Sequence, residues 1–199
     1  MSHPARINLA ARAYVSRSLG PAFGPDVVDA MLASFRPLNT REDTQLLRAG
    51  EVSDVVYLLL KGAARMSYYR RGKEHIGDFF LEGDLVADYS SFVTHAPSRL
   101  HVTSMGPCQL LMLSRADYER IGTRFPADFG RGARLVAEQH AVAFAQRIWS
   151  SLMDSPAERY AMLRRERPAW IERFPQYMIA SYLGMTPEGL SKLRKRLDR

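Results

Sequence analysis

From about Thr40 to Leu113 the apolar residues come only in short runs: Val55 to Leu60, Ala63 to Tyr69, His75 to Phe80, Leu100 to Met105 and Gln109 to Leu113. Gly, Pro or charged turns separate them, and Arg70-Arg71-Gly72-Lys73 reads as a hairpin tip. Many short strands at this spacing predict a barrel or jelly roll.

Helical patterns flank that zone. Met1 to Arg36 reads as helical, with breaks at Gly20-Pro21 and Gly24-Pro25, and Asp26 is a candidate N-cap for a helix through Ser34. Ser114 starts another helix, with Asp117 at capping-box spacing, and Phe125-Pro126 interrupts it. A long helical stretch then runs to about Met153. Phe129, Ala133, Val136, His140, Ala143, Phe144, Ile148 and Leu152 recur along it at threes and fours. Such a stripe either packs on its own barrel or pairs with a second subunit. It outruns a small barrel, so a homodimer is expected.

Charge is uneven along the chain. The net charge is +7, yet Pro156 to Arg199 holds ten Lys/Arg against five Asp/Glu. A basic C-terminal fifth on a nearly neutral body points to a polyanion partner. No apolar stretch approaches the roughly 20 residues a membrane helix needs, and Met1 to Gly20 lacks a signal-peptide block. The single cysteine, Cys108, forms no internal disulfide, which fits a reducing cytoplasm.

Asp154-Ser155-Pro156 looks like a hinge. A helix is expected from Pro156 to Arg167, stopped by Pro168. Arg173 to Arg196 reads as a helix-turn-helix. Pro175 opens its first helix, with Ile179, Ala180 and Leu183 inward, and small Ala180 lets the second helix cross closely. Gly184 suits the left-handed end of that helix, Thr186 the next N-cap and Pro187 the first position beyond it. Leu190, Leu193 and Leu197 would face inward, leaving Glu188, Ser191, Lys192, Lys195 and Arg196 outward. Such a helix fits the major groove of duplex DNA. Glu188 can accept from cytosine and Lys192 can donate to guanine, while Thr186, Arg194 and the terminal cations would hold phosphates. Gln176 and Tyr177 sit where a first helix crosses the DNA backbone.

Barrel, long helix and helix-turn-helix in that order resemble the Crp/Fnr family of bacterial regulators, from about Thr40 to the end. Gly50-Glu51, Asp54, Tyr57 and Gly62 look like the family's first barrel strands. Gly83-Asp84-Leu85 and Ala96-Pro97-Ser98-Arg99 fall where its phosphate-binding cassette begins and ends. By the same resemblance Pro187, Glu188 and Lys192 occupy the base-reading positions. Cyclic-nucleotide binders of the family use a Glu for the ribose and an Arg for the phosphate. Here Asp84 and Pro97 stand at those places, Ser98 remains, and Arg99 comes two residues late. A buried phosphate without its cation is costly, so cyclic AMP is not the expected effector. An iron–sulfur cluster needs about four Cys. A haem is unsupported, since His140 alone on the long helix reads as a packing residue. The chain ends soon after the second helix of the motif, leaving no room for a wing.

The expectation is therefore an α+β chain with four parts: an N-terminal helical segment (1–39), a jelly-roll sensor (40–125), a long dimerisation helix (126–154) and a helix-turn-helix domain (155–199). It would be a cytoplasmic, non-enzymatic transcription regulator that binds duplex DNA as a homodimer. No cofactor, metal or membrane is expected. RNA polymerase is a further candidate partner, and the effector is an unidentified small molecule or none. One rival is a cupin enzyme, which needs a metal-binding His cluster; His75, His95 and His101 show no such spacing. The other is a cyclic-nucleotide-type sensor that docks on a protein partner.

Overall fold

In the computed structural model of the protein, which describes residues 9–197, two helices precede the strands. They are α1 (Leu9–Leu19) and α2 (Pro25–Ser34). Pro25 takes the first helical position, so Gly24 is the N-cap and Asp26 falls in the first turn rather than capping it. The expected helical reading of residues 1–8 lies outside the described residues.

The strands are β1 (Arg36–Thr40), β2 (Gln45–Leu47), β3 (Val55–Arg70), β4 (Lys73–Phe80), β5 (Leu85–Val86) and β6 (His101–Ser114). β-structure thus begins at Arg36, a little before Thr40. A short helix, α3 (Tyr89–Thr94), sits between β5 and β6. The sheet runs β1-β6-β3-β4, with β2 paired to β6 and β5 to β3. β1 lies antiparallel to β6, from Arg36 opposite Met112 to Thr40 opposite Cys108. At the hairpin tip Arg71 and Gly72 have φ of 52° and 74°, as a two-residue type I′ turn requires.

Two breaks expected from the pattern are absent. Lys61-Gly62 lies inside β3, and Gly106-Pro107 inside β6. Gly62 has φ 104°, and a Cβ there would stand 2.5 Å from Sγ of Cys108 and 2.8 Å from the Pro107 carbonyl oxygen. The glycine lies inside a long strand where another backbone comes close; it does not end the strand.

Leu58 and Leu59 are both fully buried although they point to opposite faces. Leu58 and Leu111 join a core built with Val15, Phe23, Val27 and Met31 from the N-terminal helices, and with Ile121. Leu59 and Leu110 join Leu47, Val86, Val102 and Cys108 on the other side. Burial of both faces explains why Val55 to Leu60 is continuously apolar instead of alternating.

Ser114 caps α4 (Arg115–Arg124), accepting from the Asp117 N–H at 3.2 Å and donating to its carboxylate at 2.7 Å. The long helix α5 spans Pro126–Met153. Its first half packs on the first core through Phe129, Leu135 and Val136. Beyond Val142 the apolar side chains are exposed: Phe144 54%, Ile148 56%, Trp149 60% and Leu152 71%.

Four short helices follow: α6 (Pro156–Glu166), α7 (Pro168–Arg173), α8 (Gln176–Tyr182) and α9 (Pro187–Leu197). Ser155 and Glu158 form a reciprocal capping box on α6. Pro168 does more than stop that helix, because it opens α7. The chain clusters into two compact units. One holds residues up to Met66 with Phe80–Glu138; the other holds Ser67–Phe79 with the chain from Gln139 onward. Among the described residues no helix is long and apolar enough to cross a membrane.

Candidate nucleic-acid interface and effector cassette

The α8–α9 pair is built from local chemistry. Pro175 precedes the first turn of α8, and its carbonyl accepts from Met178 and Ile179. At the other end Gly184, φ 69°, donates to the Ser181 carbonyl at 3.1 Å, and Met185 donates to the Ala180 carbonyl at 2.8 Å. These two bonds are a Schellman closure. The Thr186 hydroxyl then accepts from the Gly189 N–H at 3.1 Å and so caps α9. Ile179, Ala180, Leu183, Leu190 and Leu193 are buried, and so is Met178, which the pattern does not single out. Leu197, expected inward, is 45% exposed.

Gln176, Tyr177, Thr186, Pro187, Glu188, Lys192, Lys195 and Arg196 are exposed, and Ser191 and Arg194 half-buried. Glu188 and Lys192 lie one turn apart and share a face. One surface of α9 therefore offers a carboxylate and cations above a leucine-lined base.

An aromatic cluster supports the pair. Phe79 of β4 stacks on Phe174 at 4.1 Å and meets Trp170 edge-on at 5.3 Å. Burial pushes the Tyr182 phenol up, partly opposed by the Arg147 guanidinium 4.5 Å above its ring. No sequence signal marks these residues, because their partners are far apart in the chain.

The cassette residues sit in two loops around β5 and α3. Gly83 (φ 97°) and Asp84 form the turn before β5, where the Asp84 carboxylate accepts from the Leu81 N–H at 2.8 Å. Leu85 pairs with Leu58 across the sheet. Pro97 and Arg99 are exposed, whereas Ser98 between them is buried. The Ser98 hydroxyl donates to the buried Asp88 carboxylate at 2.7 Å. The other Asp88 oxygen caps α3 by accepting from the Ser91 N–H at 3.2 Å. Ser98 also binds the loop before β3, donating from its N–H to Glu51 and accepting on its carbonyl from Gly50. Gly50, Glu51 and Asp54 thus lie in that loop rather than in a strand.

Arg115, for which the sequence offers no signal, ties these parts together. It pairs with Asp54 at 2.8 Å, donates to the Ser53 carbonyl at 2.8 Å and to the Phe92 carbonyl, and lies 4.4 Å above the Phe92 ring. The nearby cavity, about 120 Å³, is lined by Glu51, Asp54, Tyr57 and aliphatic side chains such as Val86 and Val102. No Lys or Arg is among its described lining residues. That volume is small beside the roughly 300–1,000 Å³ of drug-sized ligand sites. His140 stands elsewhere, on α5, with its ring 6.4 Å from Phe144.

Residues 37–124 match the family described as "Cyclic nucleotide-binding domain". No curated protein sequence matches the chain. FixK2 from Bradyrhizobium japonicum has a similar fold, with 19% identity, TM-score 0.68 and coverage of 82% of this chain and 84% of that one. The catabolite activator protein of Thermus thermophilus is similar at 19% identity and TM-score 0.56, covering 91% and 86%. The chain spans less than half of two cAMP-bound structures that it also matches: 43% of PfPKA-R, and 45% of the Toxoplasma gondii PKA regulatory domain (19% identity, 57% of this chain, TM-score 0.52).

Proposed function

We propose that this chain is a sequence-specific, DNA-binding transcription regulator of the Crp/Fnr type. It binds duplex DNA as a homodimer through the helix-turn-helix formed by α8 and α9, and its effector is not cyclic AMP. The observation that carries the reading is the α8–Gly184–Thr186–α9 corner. A Schellman closure and a threonine cap set the two helices at a tight turn, and the outward face of α9 presents Glu188, Lys192, Lys195 and Arg196. Glu188 and Lys192 carry donor and acceptor chemistry that base edges match in the major groove. The exposed half of α5, from Val142 to Met153, is the surface a second copy would cover. The domain division 1–39, 40–125, 126–154 and 155–199 belongs to the same reading.

Two features argue against cyclic AMP. Pro97 supplies no cation, and the Ser98 hydroxyl is already committed to Asp88. Selection of bound duplexes from a random pool tests the whole. It should return two related half-sites about 34–36 Å apart. If no sequence is enriched, α8 and α9 are a docking module for a protein partner instead.

A further inference from the structure

The hairpin joining β3 to β4 belongs to the same compact unit as the C-terminal helices. The Ile76 N–H donates to the Ser181 hydroxyl at 3.0 Å, and Phe79, 1% exposed, stacks on Phe174. Ser181 lies one helical turn from Tyr177. The hairpin is therefore bonded to the face of α8 on which Tyr177 stands 57% exposed.

From Tyr68 to Lys73 the hairpin is exposed throughout. Its tip carries Tyr68, Tyr69, Arg70, Arg71 and Lys73, with no carboxylate among them. Three like charges on so short a tip repel one another, and a polyanion relieves that repulsion. Arg71 has φ 52°, at a position that a type I′ turn normally fills with Asn, Asp or Gly. A long cation where the backbone disfavours it is an outlier that folding does not account for.

We infer that the β3–β4 hairpin tip grips the phosphate backbone of the DNA on which α8 and α9 dock, with Arg70, Arg71 and Lys73 as the gripping groups. The inference rests on the DNA-binding reading of that helix pair. Phosphates look alike in every sequence, so the tip adds affinity without adding specificity.

The test uses the full chain, with binding to a selected and a scrambled duplex measured across a salt series. Arg71→Asn removes a cation and installs a residue that the turn prefers, so its unfolding midpoint should equal or exceed that of the unaltered chain. Binding of both duplexes should nevertheless weaken severalfold, with the salt dependence flatter by about one unit of slope for each phosphate released. Adding Arg70→Gln should deepen both effects, and Arg71→Lys should restore most of the binding. Unchanged affinity and slope in Arg71→Asn and in the double variant, alongside weakened binding by Lys195→Ala, overturns the inference and leaves the helix-pair reading standing. Failure of the unaltered chain to bind any duplex overturns both.

Discussion

The hydroxyl of Ser98 donates to the buried carboxylate of Asp88 at 2.7 Å, joining the end of the cassette loop to the cap of α3. An internal carboxylate thus takes the hydroxyl that a bound anion would need. Asp88→Ala removes a helix cap, worth about 1 kcal/mol. It also removes the closer of the two acceptors of the Ser98 hydroxyl, leaving the Leu100 carbonyl at 3.2 Å. We expect a loss of about 1–2 kcal/mol in urea unfolding, and less for Asp88→Asn, which keeps an acceptor. Calorimetry with cyclic AMP should register no heat, and Pro97→Arg with Asp84→Glu should not change that while Ser98 remains committed. Tight binding by the unaltered chain would refute the reading of the cassette.

Two glycines of α5 should respond in opposite directions. Nothing lies within 4 Å of a Cβ at Gly130, so Gly130→Ala gains only helix propensity, about 0.5–1 kcal/mol. A Cβ at Gly132 would stand 2.3 Å from the buried Phe23 ring. Overpacking costs roughly 1–3 kcal/mol, which exceeds the propensity gain. Thermal unfolding should place Gly130→Ala above the unaltered chain and Gly132→Ala below it. Equal shifts would mean that Phe23 moves aside freely.

The Asp43 carboxylate is held below its ordinary pKa of 3.8, chiefly by the Gly106 N–H at 2.8 Å and also by Arg65, with partial burial opposing. A depressed folded pKa gives stability that is present above the unfolded value and lost as pH falls through the folded one. Asp43→Asn should therefore lower the unfolding midpoint at about pH 7. The gap should close below about pH 3.8. Since the side chain is 58% exposed, the effect should be small. A gap that persists in strong acid would point to Asn itself disturbing the turn.

Ile148 and Leu152 lie one turn apart on α5, exposed to 56% and 71%. On the proposed reading they meet a second copy. Sedimentation at micromolar concentration should give twice the chain mass, and Ile148→Glu with Leu152→Glu should give a monomer with an unchanged circular dichroism spectrum. A monomeric unaltered chain would remove the coiled-coil argument.

Lys192 shares the outward face of α9 with Glu188, whereas Lys195 and Arg196 lie in its last turn. Removing a good hydrogen bond to a base edge costs about 1–3 kcal/mol of discrimination. Lys192→Ala should weaken the selected duplex far more than a scrambled one. Lys195→Ala and Arg196→Ala should weaken both alike and flatten the salt dependence. Equal weakening by Lys192→Ala would make Lys192 a phosphate anchor instead of a reader.

What the sequence determined by itself is the set of features that depend on neighbouring residues. The Gly184 turn, the Thr186 and Ser114 caps, the Arg71-Gly72 tip and the extent of α5 were all legible, because caps and tight turns depend on residues only a few positions apart. Where a residue's role depends on a distant partner, local pattern misleads or is silent. Gly62 reads as a break, yet Cys108 packs against it from β6. Ser98 looks available in the sequence, but Asp88 takes its hydroxyl, and Arg115 gains its role only from Asp54 and Phe92 around it. The seat of the β3–β4 hairpin on α8 joins Ile76 to Ser181 across 105 residues. Local propensity carries no record of such a contact; folding alone makes the two groups neighbours, by burying Phe79 among Trp170, Phe174 and Tyr182.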